Sequence, residues 1–481
     1  MDPTFLSAKR QAALVRRGAI GCRELLDLYI ARVERLDERI NAVVVRDFDR
    51  ARQRATALDK ARGAGPVGKL HGVPMTIKES FDVAGLPTTW GIPALKDHKA
   101  TGNAMAVDRF IAAGAVLFGK TNVPLNLADW QSFNAIYGTT NNPWDLTRSP
   151  GGSSGGAAAA LAAGLTGMEA GSDIGASIRN PAHYCGVFGH KPTWGICPQI
   201  GQTVYGNVDQ LDIAAVGPLA RSADDLAIGL DVMAGAEPIE SGWVVKLPPP
   251  RRRGFAGLRV AVMTRHDCSD VDGEMQAALE DLAGLLGREG ARMSMTARPA
   301  FDLSLGHDLY IEMLRATTAV GLDDAAAAQW QAARDGLAPG DPSYYAQMAR
   351  GISMTHRVYL QKNEQRQRMR RAWADFFRDW DVLLCPPAAS PAFPHDQAGQ
   401  RHERNIEVNG KRVPVTDQMF WAGIAGFYLL PGTVAPLGLS ASGLPFGVQI
   451  VGAQYDDRTT IEVARLLEKA WRGFVPPPGW A

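Results

Sequence analysis

The chain has 481 residues, 46% of them hydrophobic, which is enough apolar material to bury a sizeable core. Its 51 basic and 50 acidic side chains leave a net charge of +1, so no global field attracts nucleic acid or an anionic membrane surface. We therefore expect neither as a partner.

The cysteine content and the first residues indicate a reducing compartment. The number of cysteines is odd and no pair has C-x-x-C spacing; they are Cys22, Cys185, Cys197, Cys268 and Cys385. This argues against a disulfide framework and against a zinc site. The segment beginning Met1-Asp2-Pro3-Thr4 lacks the basic and apolar regions of a signal peptide. Because no apolar stretch reaches about 18 residues, a membrane span is not predicted either, and we expect a soluble cytoplasmic protein.

The predicted elements begin with helices over residues 4–62. The apolar residues that recur there at helical spacing are Leu25, Leu26, Tyr29, Ile30 and Val33. Gly65-Pro66 is predicted to end this region. Over 68–122 short apolar runs alternate with helical patterns, and Ala115–Phe118 is predicted as a buried strand after a helix over Val107–Ala113. Such alternation predicts an α/β fold whose sheet is covered on both faces.

The rest of the chain is predicted to continue this alternation. Residues 134–156 are rich in loop-forming residues, and an alanine-rich helix follows them. The later predicted elements, in chain order, are helices over 157–163 and 217–236, a linker over 247–254, a strand over 257–263, mainly helices over 272–375, strands over 382–384, 432–436 and 447–451, and a closing helix over 458–471. We find no internal repeat.

Two short motif matches point to the wrong chemistry. Gly114–Thr121 (GAVLFGKT) fits the phosphate-loop pattern, but its middle residues are the apolar strand itself, whereas a phosphate loop needs a strand before the first glycine. Gly151–Gly155 (GGSSG) fits a nucleophile elbow, yet no strand is predicted before it. A Ser-His-Asp enzyme would also need a histidine, and the candidates His183, His190 and His307 have no distinctive context. The histidines form no metal-binding motif.

Three longer segments together carry a resemblance. They are Gly72–Ser80 (GVPMTIKES), Ser149–Ala160 (SPGGSSGGAAAA) and Gly171–Pro192 (GSDIGASIRNPAHYCGVFGHKP). In this order and spacing they resemble the amidase signature family. Supporting matches are Gly138–Trp144 (GTTNNPW) and Leu444–Gly452 (LPFGVQIVG). Three long motifs in register are far more specific than any one of them.

The resemblance implies an architecture. It implies one α/β/α domain over 1–481, with a large mixed sheet covered by helices. Its parts would be N-terminal helices (1–62), a catalytic core (65–215), a variable, mainly helical region that shapes the pocket (216–375), and C-terminal strands and a helix that complete the sheet (380–481). No cofactor and no metal are implied. Homodimers are common in the family, so a homodimer stays open as a partner.

The resemblance also implies a catalytic triad. Ser177 matches the nucleophile, Ser153 the bridging serine that relays the proton, and Lys78 the base. A serine hydroxyl needs a base to become a nucleophile, and burial makes lysine one by lowering its pKa. In the family the bridging serine follows a cis peptide bond, which here would be Gly152–Ser153. These roles imply hydrolysis of an amide through an acyl-enzyme.

The residues before the nucleophile are expected to form an oxyanion hole. Backbone N–H groups of Ile174, Gly175, Ala176 and Ser177 would face the developing negative charge. The family's usual Gly-Gly-Ser is Gly175-Ala176-Ser177 here. An alanine keeps its N–H, but a positive φ at 176 would be strained, and we expect its methyl group to narrow the pocket.

Further assignments stay open at this point. Lys120 and Lys191 are alternative bases, and Ser154 is an alternative bridge, although its spacing to Ser177 fits the family less well. A charged pair such as Asp173 and Arg179 beside a nucleophile is more often structural than catalytic. Cys185 is interpreted as a core thiol, because nothing nearby suggests a cysteine–histidine pair.

Several aromatic residues lie on predicted loops beside these segments. Core packing is the default for each, but we expect some of them to line an apolar substrate pocket. The substrate-contacting candidates are Tyr137, Trp130, Trp194 and the backbone at Gly152. They favour a hydrophobic or aromatic substrate.

Four functions follow from the family resemblance. The leading one is a stand-alone amidase acting on a small-molecule amide. The same chemistry would serve a carbamate or nylon-oligomer hydrolase. A third is the A subunit of a glutamine-dependent tRNA amidotransferase. The acidic residue that this subunit is expected to have ahead of the C-terminal strand motif is not cleanly placed, since the nearby Asp417 is out of register in the alignment. The fourth is a catalytically silent binding protein. The presence of Lys78, Ser153 and Ser177 argues against it, because a protein without catalysis has no physical need for all three triad residues.

Overall fold

The N-terminal region is helical with one interruption. The computed structural model describes residues 2–61, 68–202, 208–242 and 244–480. The first helices are α1 (Ala8–Arg16), α2 (Cys22–Leu36) and α3 (Phe48–Lys60). The prediction was wrong over Val43–Arg46, which forms strand β1, because three consecutive β-branched valines favour a strand. The predicted break at Gly65-Pro66 lies outside the described residues.

Strand β1 joins a three-stranded sheet that carries Lys78. The other members are β2 (Pro74–Lys78) and β3 (Val116–Thr121), with helix α4 (Met105–Ala112) between them in the chain. Strand β3 is central, antiparallel to β1 and parallel to β2. The helix and strand predicted here are confirmed, and because β3 runs through the phosphate-loop match, that match is a strand and not a loop.

The central sheet has eight strands. They are β6 (Glu169–Asp173), β7 (Phe188–Lys191), β8 (Ala215–Ala220), β9 (Arg259–Val262), β10 (Arg292–Ser294), β11 (Val382–Cys385), β14 (Gly432–Leu439) and β15 (Pro445–Val451). Their order is β10-β9-β11-β15-β14-β7-β8-β6. The pairs of β9 with β10 and with β11 are parallel, and the other neighbours are antiparallel. The predicted α/β fold with a large mixed sheet is therefore confirmed.

Two short hairpins lie apart from these sheets. One is β4 (Phe133–Asn134) with β5 (Gly138–Thr139), and the other is β12 (Asn405–Val408) with β13 (Lys411–Pro414). Neither hairpin was predicted. Their strands are two to four residues long, too short for an alternating pattern to stand out in the sequence.

Helices cover the sheet and fill the region between β8 and β11. They are α5 (Gly155–Ala162), α6 (Arg179–Cys185), α7 (Ala223–Met233), α8 (Gly273–Arg288), α9 (Leu303–Thr318), α10 (Asp324–Asp335), α11 (Tyr344–Ile352), α12 (His356–Asp379), α13 (Met419–Gly426) and α14 (Asp457–Ala470). Helices α6, α7 and α14 contact the strands directly. The alanine-rich and closing helices are confirmed, whereas the helix predicted over 217–236 begins only after strand β8. No helix among the described residues has the length and apolarity needed to cross a bilayer.

Candidate active site

The structure brings Lys78 and Ser153 into direct contact. Lys78 is the last residue of β2, Ser153 lies in the loop before α5, and Ser177 lies between β6 and α6. The Lys78 Nζ donates to Ser153 Oγ at 2.6 Å. The Ser154 N–H donates to the Ser177 carbonyl at 3.1 Å, which ties the two serine segments together. The Gly152–Ser153 peptide bond is cis.

A third hydroxyl group completes the surroundings of Lys78. The Nζ also donates to Ser172 Oγ at 2.9 Å, so it is held between two hydroxyls. Sequence reasoning did not single out Ser172, although it belongs to the same GSDIGAS segment as Ser177. Lys78 is 0%, Ser153 1% and Ser177 5% exposed. Three hydroxyls and one amine are thus gathered in a site almost closed to bulk water.

Burial changes the acid–base properties of Lys78. Because burial disfavours the charged ammonium, it lowers the pKa of Lys78 to about 7, with Asp173 and Glu169 opposing the shift. Burial also raises the pKa of Glu169 to about 8, while the hydroxyl of Thr76 donates to its carboxyl group. A lysine with a pKa of about 7 is substantially neutral near pH 7, so its amine is available to accept a proton.

Two side chains fix the loop before Ser177. The Tyr310 hydroxyl donates to the Ile174 carbonyl at 3.0 Å, and the Trp130 Nε1 donates to the Gly175 carbonyl at 2.7 Å. Since C=O and N–H are opposed across a planar peptide, these bonds also set the direction of the next N–H groups. Tyr310 is fully buried on α9 and was not predicted, because its contact depends on a helix distant in sequence.

The N–H of Ala176, which was expected to face the oxyanion, is already used within the loop. It donates to Asp173 Oδ1 at 3.0 Å. No acceptor within the described ranges is found for the N–H groups of Ile174, Gly175 and Ser177. The donors available to a ligand are therefore those of Ile174, Gly175 and Ser177, whereas Ala176 helps to hold the loop together.

Asp173 organises the turn that contains Ser177. It forms an ion pair with Arg179, with Arg179 Nη2 2.8 Å from Asp173 Oδ1, and both side chains are fully buried. Its carboxylate also accepts from the N–H of Ile178 at 3.1 Å. Burial alone would raise the pKa of Asp173, but the Arg179 guanidinium, the charge of Lys191 and the Ile178 N–H together hold that pKa below its usual value. These contacts agree with the structural interpretation of this pair.

The expectation that the Ala176 methyl group narrows the pocket was wrong. Ala176 has the positive φ foreseen as a strain, +69°, a region that costs a residue other than glycine about 1–3 kcal/mol. Its side chain is 0% exposed and packs in the hydrophobic core. Because the methyl group lies in the core, it stabilises the packing around the loop and does not restrict the ligand.

Lys120 and Lys191, the alternative bases, make structural contacts instead. The Lys120 Nζ donates to the Pro87 carbonyl and, at 2.9 Å, to Thr88 Oγ1. The Lys191 Nζ donates to two backbone carbonyls, one of them that of Leu430, both at 2.8 Å. Both lysines are buried, but among the described residues it is the Nζ of Lys78, and not that of Lys120 or Lys191, that bonds to the serine hydroxyls.

Ser154, Cys185 and His183 also lie outside that cavity. Ser154 Oγ donates weakly to the Ser172 carbonyl at 3.4 Å. Cys185 is fully buried, as a core thiol should be, and burial raises its pKa. The two ring nitrogens of His183 each bond to a backbone group. Among the described lining residues we find no histidine, so a serine–histidine site has no support from the geometry.

A cavity of about 330 Å³ opens beside the serines. Ser153, Ser172 and Ser177 form part of its wall. Of the four predicted substrate contacts, Trp130 lines it. Tyr137, Gly152 and Trp194 are not among the described residues that do so. The remaining apolar wall comes largely from distant segments: Trp90, Leu127, Leu211, Leu314, Val320, Leu322, Ile352 and Met419.

The three residues outside the cavity have other roles. The Tyr137 hydroxyl contacts Glu79 Oε1 at 3.2 Å, and the Trp194 Nε1 donates to the Leu211 carbonyl at 3.0 Å. A Cβ atom at Gly152 would lie 2.2 Å from the Asp129 carbonyl oxygen. Glycine is therefore required at 152 because two backbone segments approach each other there.

Tyr310→Phe tests the support of the loop. We expect this variant to be about 1–3 kcal/mol less stable, because the buried Ile174 carbonyl loses its donor. Its kcat should also fall, since the peptide groups before Ser177 are held less firmly. Urea unfolding and steady-state kinetics measure the two effects. Tyr345→Phe, which alters a ring that is 42% exposed, is the matched control; equal stability of the two variants would contradict the structural role of the Tyr310 hydroxyl.

Comparisons with known proteins agree on one family. A family model described as Amidase matches residues 24–461. The chain is 34% identical to an indoleacetamide hydrolase from Bradyrhizobium diazoefficiens, over 96% of this chain and 86% of that protein. It is 32% identical to the A subunit of a glutamyl-tRNA(Gln) amidotransferase from Anaeromyxobacter, over 98% of both chains. The structure of a bacterial aryl acylamidase of the amidase signature family superposes with a TM-score of 0.81, at 25% identity, over 97% of this chain and 96% of that one.

Proposed function

The chain belongs to the amidase signature family, and from that membership we propose that it is a serine amidohydrolase in which Ser177 is the nucleophile, Ser153 the proton relay and Lys78 the base. The observation that carries these roles is the buried contact between Lys78 Nζ and Ser153 Oγ at 2.6 Å. Burial supplies a lysine whose pKa is about 7. The second hydroxyl group, Ser172, holds the amine in place without being required to react.

Acylation begins when Ser177 Oγ attacks the amide carbonyl carbon. The Ser177 proton passes to Ser153 Oγ, and the proton of Ser153 passes to Lys78 Nζ. The tetrahedral intermediate then breaks its C–N bond, and the proton returns through Ser153 to the leaving nitrogen. This return is the step an amide most needs, because an amine leaves poorly unless it is protonated. The free amine departs and the acyl group stays on Ser177.

Deacylation uses the same groups. A water molecule attacks the acyl carbon, and one of its protons passes through Ser153 to Lys78. The C–O bond to Ser177 breaks, and that proton returns to Ser177 Oγ as the carboxylic acid leaves. In both steps the N–H groups of Ile174, Gly175 and Ser177 are the donors proposed for the oxyanion. Removing one donor of this kind typically costs about 100- to 1000-fold in kcat.

The cavity suggests the class of amide. Most of its wall is apolar and it contains the Trp130 ring, which favours a substrate with a hydrophobic or aromatic group. A volume of about 330 Å³ suits a small molecule and not a folded protein. One of the relatives, an indoleacetamide hydrolase, is named for an aromatic amide.

A serine-reactive fluorophosphonate tests the proposal. We expect a single adduct on the folded protein, mapped to Ser177 by peptide mass spectrometry and absent from Ser177→Ala. An adduct on Ser153 or Ser154 would overturn the role assignment. Folded protein without any adduct would favour a scaffold that binds but does not react.

A second candidate function is supported by the amidotransferase relatives, which match almost the whole chain. In that case the chain would release ammonia from glutamine for its partner subunits. Asp417, the acidic residue nearest the expected position, is not among the described residues that line the cavity. Hydrolysis of a simple aryl amide by the purified chain alone, with no glutaminase activity, would favour the stand-alone amidase; the reverse result would favour the amidotransferase.

A further inference from the structure

Two arginines border the cavity at a place the proposed reaction does not use. Arg315 is on α9, and Arg401 begins the turn Arg401–Glu403; both line the cavity that contains Ser153 and Ser177. Their guanidinium groups meet on one phenol. Arg315 Nη2 donates to the Tyr344 hydroxyl oxygen at 2.5 Å, and Arg401 Nη2 donates to it at 3.0 Å. Two cations are thus held close together on a single phenol oxygen.

Neither arginine has a carboxylate partner within 4 Å in the described part of the chain. Other arginines near the cavity are paired, as Arg404 is with Asp129 at 2.6 Å. Glu312, on the same helix as Arg315, is already shared by Arg350 and Lys362, each at 2.8 Å. The two guanidinium groups therefore add positive charge that no acid of the described chain neutralises by direct contact.

The hydrogen-bond donors of Arg315 are also incompletely used. A guanidinium group has five N–H donors. The Arg315 Nε is buried and has no acceptor among the described residues. The Tyr344 phenol responds to the excess charge: burial would raise its pKa, but Arg315 and then Arg401 lower it below the usual value. An anion bound in the cavity would account for both the unpaired positive charge and the unused N–H donor.

Two acids, Asp129 and Asp173, also line the cavity. Asp173 is already paired with Arg179, so Asp129 is the acid that needs separate consideration. Its carboxylate accepts a hydrogen bond from Arg404 Nη1 at 2.6 Å. Burial raises the pKa of Asp129, and the attraction of Arg401 and Arg404 only opposes that rise. Asp129 therefore binds Arg404 directly and attracts Arg401 from beyond 4 Å, so it offsets part of the charge of Arg401 but leaves Arg401 without a directly bound carboxylate.

We propose that Arg315 and Arg401 form an anion subsite, and that the amide substrate carries a carboxylate group that binds there. The inference rests on the proposed amidohydrolase function and narrows its substrate class. A carboxylate accepts two parallel hydrogen bonds from a guanidinium, and this geometry is stronger than a bond to a neutral phenol. Leu314, Leu322 and Ile352 supply an apolar wall in the same cavity for the body of the substrate. The substrate class is thus an amide with an apolar or aromatic body and one acidic end.

Matched substrates measure the preference. In one pair the acyl group varies, with glutaryl-4-nitroanilide against 5-methylhexanoyl-4-nitroanilide, which replaces the carboxylate by an isopropyl group. In the other pair the amine varies, with the phenylacetyl amide of 4-aminobenzoate against that of 4-isopropylaniline. For at least one pair we expect the acidic member to have a kcat/KM about tenfold or more above its isostere. A ratio of one or less in both pairs would overturn the proposal.

Variants assign the preference to these residues. Arg315→Gln and Arg401→Gln should each lower the acid-to-neutral ratio of kcat/KM by about tenfold, mainly through KM. Arg401→Lys keeps the charge and should retain part of the ratio. Arg368→Gln is the matched control, because Arg368 is exposed on α12 and pairs with Glu364. A ratio that stays unchanged in the Arg315→Gln/Arg401→Gln double variant would also overturn the proposal.

Binding separates this inference from the proposed reaction. Titration calorimetry of Ser177→Ala with 4-(phenylacetylamino)benzoate and with glutaryl-4-nitroanilide measures recognition without turnover. Binding that is lost in the double-arginine background, together with no hydrolysis by the wild type, would refute the reaction and support the subsite. Hydrolysis of neutral and acidic members alike would support the reaction and refute the subsite. No binding and no hydrolysis would refute both.

Discussion

Replacing Ser177 by alanine is expected to lower kcat for amide hydrolysis by about a thousandfold or more, because no other group at this position can form the acyl-enzyme. The fold should be unaffected, since the hydroxyl of Ser177 lies at the cavity wall and its backbone contacts remain. KM should change much less than kcat if the hydroxyl acts only in the chemical step. Steady-state kinetics on a small aryl amide, with thermal unfolding of both proteins, measures the two quantities.

Ser154→Ala is the matched control for this loss. Ser154 is as buried as Ser153 and next to it, but its hydroxyl makes only a 3.4 Å contact with the Ser172 carbonyl. We expect kcat to change by no more than a few-fold. A loss in Ser154→Ala comparable to that in Ser177→Ala would mean that the relay runs through Ser154. Full activity in Ser177→Ala would show that Ser177 is not the nucleophile.

The local part of the site could be predicted from the sequence because its residues lie in continuous segments. Lys78, Ser153 and Ser177 each belong to a run long enough to identify the family, and the run around Ser177 also contains Ser172. The residues of the pocket could not be predicted in this way. Tyr137 and Trp194 were chosen because they are near the segments in sequence, whereas Arg315 and Arg401 reach the cavity only through packing of α9 and a distant turn. Proximity that arises from tertiary contacts leaves no periodic signal in one sequence.

The same distinction explains the errors in the fold. Helices with a strong apolar stripe, such as α2 and α14, were recognised by their spacing. Strand β8 has the sequence AVGPLA, in which glycine and proline weaken any strand pattern, and it exists because it pairs with β6 and β7. Strand β1 is four residues long and is placed by β3. Tertiary pairing overrides local propensity in such elements.

Replacing Lys78 by methionine is expected to be the second large loss, with kcat/KM lowered by about a hundredfold or more, since a positioned base contributes about 10² to 10⁴. The wild-type enzyme should show kcat/KM rising with pH and levelling above an apparent pKa of about 7, because the neutral amine is the active form. Burial also lowers the pKa of Lys191 to about 7, so Lys191→Met is the discriminating control. If the pH dependence of kcat/KM persists in Lys78→Met, or disappears in Lys191→Met, then Lys78 is not the base.

The stability of Lys78→Met should depend on pH with a definite sign. Between about pH 7 and pH 10 the unfolded wild type binds the lysine proton and the folded wild type does not, so the wild-type free energy of unfolding rises with pH in this window. The methionine variant lacks this dependence. The stability of the variant relative to the wild type should therefore increase as pH falls from 10 to 7, by up to about 1.4 kcal/mol per pH unit. Urea unfolding at several pH values measures the difference, and a constant difference would mean that Lys78 keeps an ordinary pKa in the folded protein. The enzyme would then have to activate Ser177 by other means, since only a lysine that is costly to charge in the folded state can serve as the base near pH 7.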